Sequence, residues 1–128
     1  MDKSAALHDF FSGFGIPALD EQSAFDSKTL SELHIDFPYI TYETAVGDFD
    51  EEISLSADLY YRSTSWAEIE SKASEICSYI GSGGRIYHYG EGAMWVRKGI
   101  PAYQRMQTEN AFDIRRIHLN IDVEFLTA

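Results

Sequence analysis

The chain has 128 residues, 45% hydrophobic and 24% charged, which suits one folded domain with a real core and leaves no room for a second. Its formal net charge of −11 argues against general nucleic-acid binding, because phosphate affinity comes mainly from clustered Lys and Arg. A single cysteine, Cys77, excludes an intrachain disulfide and supplies no zinc ligand set, no apolar run is long enough to span a bilayer, and the opening residues lack the pattern of a secretion signal; a soluble, unexported protein from a reducing compartment is expected.

In chain order, Leu7, Phe10, Phe11 and Phe14 recur at i, i+3, i+4 and i+7, which predicts a short amphipathic helix ended by Gly13, Gly15 and Pro17. From Ala18 to Phe37 the periodicity is poor, with at most a helical turn over Thr29 to His34. Tyr39 to Thr44 is rich in β-branched and aromatic residues and predicts a strand. After the acidic loop Gly47 to Glu52, Ile53, Leu55, Ala57, Leu59 and Tyr61 alternate with Ser54, Ser56, Asp58, Tyr60 and Arg62, so a second strand pairs with the first as a hairpin.

Ser65-Trp66-Ala67-Glu68 has the form of a capping box and predicts a helix start. Trp66, Ile69, Ala73, Ile76, Cys77 and Ile80 then mark its apolar stripe, and Gly81 its end. Arg85 to Tyr89 and Ala93 to Lys98, around Gly90-Glu91-Gly92, predict a second hairpin. Gly99-Ile100-Pro101 is expected to break it and Ala102 to Phe112 to be a polar connection. From Arg115 to Phe125, Ile117, Leu119, Ile121, Val123 and Phe125 alternate with polar residues, the clearest strand in the chain. The expected fold is therefore α+β: a mainly antiparallel sheet of about five strands, with the central and N-terminal helices packed against it over one domain, residues 1–128.

No catalytic signature stands out. The glycines at 81–84 and 90–92 read as turn residues, since neither group precedes Lys-Ser/Thr or opens a helix. His8, His34, His88 and His118 are scattered and do not form a metal motif, and Asp48, Asp50, Glu51 and Glu52 lack the glycine and terminal glutamate of an EF-hand. Cys77 lies on an apolar stripe and reads as a core residue. No cofactor or metal is expected.

Charge is uneven. Residues 1–64 hold 3 basic and 13 acidic side chains, net −10; residues 65–128 hold 7 and 8, net −1. Arg97, Lys98, Arg105, Arg115 and Arg116 gather around one connection, and either pair within the chain or meet the acidic half of a neighbouring copy. Tyr60 is expected to point away from the core side of its strand, where a tyrosine either serves an interface or lies under a helix that covers that face.

The segments Leu59-Tyr60-Tyr61-Arg62-Ser63-Thr64-Ser65, Met94-Trp95-Val96-Arg97-Lys98-Gly99-Ile100-Pro101, Gln104-Arg105-Met106, Ile114-Arg115-Arg116-Ile117 and Phe125-Leu126, in this order over residues 38–126, resemble the tail terminator proteins of long-tailed bacteriophages, within the phage minor capsid and head-tail joining group. The resemblance implies a structural virion protein without catalysis, assembled in the host cytoplasm and located at the head-proximal end of the tail. Several copies, usually six, form a ring on the tail tube, stop its polymerisation and present a joining surface to the head connector. It implies as partners the chain itself, the tail tube protein and head-tail connector proteins, with neither membrane nor direct nucleic-acid recognition. The family assigns no contact residues here; Asp48, Asp50, Glu51, Glu52, Tyr60, Arg97, Lys98, Arg105, Arg115 and Arg116 are the candidates. Another head-tail completion protein, and more distantly a small ligand-binding or enzymatic α+β domain, remain open.

Overall fold

A computed structural model describes residues 3–20, 37–42, 52–90, 92–107 and 113–126. Helix α1 (Lys3–Phe11) runs into a 3-10 turn (Ser12–Phe14), and strand β1 (Ala18–Asp20) follows. Next come β2 (Tyr39–Tyr42), β3 (Glu52–Arg62), helix α2 (Ala67–Ile80), β4 (Arg85–Tyr89), β5 (Gly92–Met106) and β6 (Ile114–Leu126). The strands form one six-stranded sheet in the order β1-β2-β3-β6-β5-β4. Four of the five pairings are antiparallel, whereas β1 lies parallel to β2, with Ala18 opposite Ile40. The fold is thus α+β as expected, with a mixed sheet one strand larger; β1 is only three residues long, too short for alternation to announce it.

The apolar stripes predict the core. Leu7, Phe10 and Phe11 of α1 and Ile69, Ala73, Ile76 and Ile80 of α2 are buried. They join Leu55, Ala57 and Leu59 of β3, Met94 and Val96 of β5, and Ile117 to Phe125 at every second position of β6 in a single cluster. Each fully buried side chain of this size contributes on the order of 1.5–3 kcal/mol. The arrangement also bends the sheet. Phe10 meets Tyr87 of β4 at 5.4 Å between ring centroids, its neighbour Phe11 stacks on Tyr42 of β2 at 4.9 Å, and the two phenylalanines are 5.1 Å apart. In a flat sheet four strand spacings would hold β2 and β4 roughly 19 Å apart, more than three ring contacts span, so the sheet curls around α1. A hydrogen bond from the Tyr87 hydroxyl to Asp9, and one from Lys72 Nζ to the Phe14 carbonyl at 2.8 Å, fasten this helix to β4 and α2.

Two local expectations are revised. The capping box is not formed: the Ser65 N–H, which Glu68 would need, donates to Ser63 Oγ at 3.0 Å, and Ser65 Oγ accepts from Ala67 N–H at 3.1 Å. Serine turns thus satisfy the first free donor, and α2 begins one residue later than a box would place it. At the far end Gly81 adopts φ 81° and donates to the Cys77 carbonyl at 3.0 Å, the expected stop. Gly99-Ile100-Pro101 does not end β5 either; the strand passes through a bulge and pairs with β6 again from Tyr103 to Met106. The helical turn proposed for Thr29 to His34 and the residues 43 and 44 at the end of the first predicted strand lie outside the described residues.

Candidate assembly surface

Alternation along β3 and β6 gives the sheet a second face, on which no helix packs among the described residues. On that face Thr41, Asp58, His118 and Gln104 line up across β2, β3, β6 and β5, and Tyr39, Tyr60, Arg116 and Met106 form the next row. Asp58 is 9% exposed although it is a carboxylate. Its burial is tolerated because Oδ1 accepts from both Arg116 Nε and His118 Nδ1, each at 3.0 Å. Tyr60 stacks on Tyr39 at 5.0 Å and 20°, with the Arg116 guanidinium 5.8 Å from the Tyr60 ring. Arg62 in turn lies 4.7 Å over Phe37, which contacts Tyr39. This end of the face is a ladder of stacked rings and cations, held laterally as cross-strand pairs are.

The bulge is the other notable feature of the face. Lys98 pairs with Ile121 and Tyr103 with Leu119, so five steps along β5 cover two along β6 and three residues are extra. Gly99 is required there: a Cβ would stand 2.8 Å from the Asn120 Cβ. Asn120 Nδ2 donates to the Pro101 carbonyl at 2.9 Å and ties the bulge to β6. Between these anchors Ile100 is 100% exposed. Beside it lies a cavity of about 240 Å³, lined among others by Ser54, Ser56, Asn120 and Asp122, with Ser54 Oγ donating to Asp122 Oδ1 at 2.9 Å.

The bulge also decides where the basic residues go. An odd number of extra residues reverses the phase of β5, so Arg97 lies opposite Asp122 on the face away from α2 whereas Arg105 lies opposite Ile117 on the helix-covered face. Lys98 and Arg115, opposite Ile121 and Tyr61, also take the helix-covered side, and Arg116 the other. The five cations are therefore divided between two surfaces. Arg97 stacks on Trp95 at 4.1 Å, and Arg116 binds Asp58. Arg105 donates to Glu70 at 2.6 Å, Arg115 donates to the Thr64 carbonyl at 2.7 Å, and the two guanidinium groups lie 4.7 and 5.3 Å from the Trp66 ring. Intrachain partners thus account for much of the basic cluster. Of the acidic candidates, Asp48, Asp50 and Glu51 fall outside the described residues, and Glu52 opens β3 opposite Glu124. Ile100 was missed among the candidates because Gly-Ile-Pro reads as a chain break; its position between a glycine and a proline inside an alternating run was the available signal.

Cys77 is half-buried; burial raises the thiol pKa, an effect that the nearby Lys98 charge partly offsets. Among the described residues no group of three or more His, Cys, Asp or Glu is placed to hold a metal ion, and no helix is long and apolar enough to cross a membrane. The sequence matches no protein-family model, and a comparison with curated proteins finds no relative.

Proposed function

We propose that the chain is a phage tail terminator: a structural, non-enzymatic virion protein whose copies close into a ring on the end of the tail tube, stop its growth and offer a joining surface to the head. One observation carries the reading. The segments that resemble tail terminators, dispersed in sequence, lie, apart from Ser63 to Ser65, on the three adjacent strands β3, β6 and β5 at the centre of the sheet and on the bulge between Lys98 and Tyr103. Within the longest of them, Met94 to Pro101, Ile100 is wholly exposed on backbone held by Gly99 and Asn120. An apolar side chain carried on anchored backbone loses less freedom on meeting a partner, and ring closure needs such repeated head-to-tail contacts.

The mechanism follows from shape. One ring surface is complementary to the last ring of the tube, and the opposite surface cannot accept another tube subunit, so addition stops without chemistry. The split of the cations between two faces suits a subunit with different neighbours on each side. Native mass in solution together with negative-stain images of the protein alone and mixed with purified tail tubes tests the reading. Discrete rings, free or seated on tube ends, are expected; a chain that stays monomeric and leaves tube ends bare contradicts it.

A further inference from the structure

We infer that the hollow beside the β5 bulge receives a basic side chain from a second copy of this chain, with Ile100 packing along its stem; the inference rests on the ring reading and assigns it a contact. The hollow, about 240 Å³, is far larger than one bound water requires and has room for a side chain. Asp122 is the one charged residue among those that line it. Asp122 takes a hydrogen bond from Ser54 on one carboxylate oxygen. Asn120 gives one of its two amide N–H groups to the Pro101 carbonyl, and its Oδ1 is an acceptor. With Ser54 and Ser56 beside them, the lining is rich in oxygen acceptors around one negative charge, which fits a guanidinium or ammonium donor.

The apolar half of the fit is Ile100, which walls the hollow and is otherwise in water; arginine and lysine carry aliphatic stems that cover such a surface while the head reaches the carboxylate. Arg97, the cross-strand neighbour of Asp122, stacks its guanidinium on the Trp95 ring at 4.1 Å. The charge complement exists on the same molecule. On the opposite side of the sheet Arg105 exposes 54% of its side chain. The α2 side of one copy meeting the bulge side of the next is a head-to-tail contact, the kind that closes into rings.

The test compares the self-association of the wild-type chain with that of Ile100→Ser, Asp122→Asn and, as a control on α2, Ser74→Ala, by sedimentation velocity at increasing protein concentration and with purified tail tubes added. Ile100→Ser and Asp122→Asn are each expected to weaken association about tenfold, equivalent to ~1.4 kcal/mol, and the control to leave it unchanged. Wild type and both variants associating equally would overturn the hollow as a contact and leave the ring reading intact. A wild-type chain that associates neither alone nor on tubes would overturn both. Near-UV circular dichroism checks the fold of each variant; because Ile100 makes no buried contact, Ile100→Ser decides the matter even if Asp122→Asn disturbs the sheet.

Discussion

The two faces of this sheet are held by different physics. Beneath the helices, β6 buries Ile117, Leu119, Ile121 and Val123 to 2% exposure or less, and burial is what keeps that side together. Across the opposite face the same strand carries Arg116, His118, Asn120 and Asp122, each half-buried and tied sideways to β3 or β5. The covered face needs only volume and apolarity; the open one depends on particular atoms in particular rows. The contrast separates side chains that make the domain from side chains able to meet a neighbour.

The largest expected effect belongs to the covered face. Leu119→Ala should lower unfolding free energy by about 2–5 kcal/mol, read from the urea midpoint, because a cavity opens where sheet and helices meet. A loss near zero would mean that this face is loosely packed. On the open face Arg116→Ala should cost less, about 1–3 kcal/mol, since His118 continues to serve the same Asp58 oxygen. A double-mutant cycle with His118→Ala measures how far the two donors substitute for each other, and strict additivity would separate them.

A smaller effect sharpens the comparison through pH. Tyr87 is pushed up to about 12, first by its hydrogen bond to Asp9 and then by burial, and Tyr42 to about 12, first by burial and then by the Asp20 charge. Both tyrosines hold their protons more tightly in the folded chain than the usual value of about 10. Their contribution to stability is therefore fully present below about pH 10 and is lost as pH rises towards about 12. Both contact α1, so alkaline loss of stability should begin with that helix. Urea midpoints between neutral and alkaline pH should fall less steeply for Tyr87→Phe than for wild type. Equal slopes would remove the Asp9 link from the account. The smallest effect on folding is Ile100→Ser, expected to change stability by no more than about 0.5 kcal/mol because the side chain lies wholly in water.

What could be read from the sequence follows the same division. β3, α2 and β6 were legible because their periods run unbroken over a turn or more of pattern, and burial on one face writes directly into alternation. β1 was not, having three residues and a parallel partner distant in sequence. The continuation of β5 was hidden by Gly99 and Pro101, residues that usually end strands and here occupy a bulge. That bulge also undid the apparent unity of the basic cluster: Arg97 and Arg105 share parity, and on an uninterrupted strand would share a face. Three inserted residues reverse the phase, and only pairing with β6 reveals it. The lateral bonds of Asp58 were equally invisible, since they join residues about 60 positions apart.

The account stands most directly on growth of the tail tube itself. Purified tube protein elongating in the presence of the wild-type chain should stop at a length set by the moment of addition, with the chain bound at tube ends. Unaltered elongation, with the chain left in solution, would contradict the proposed function.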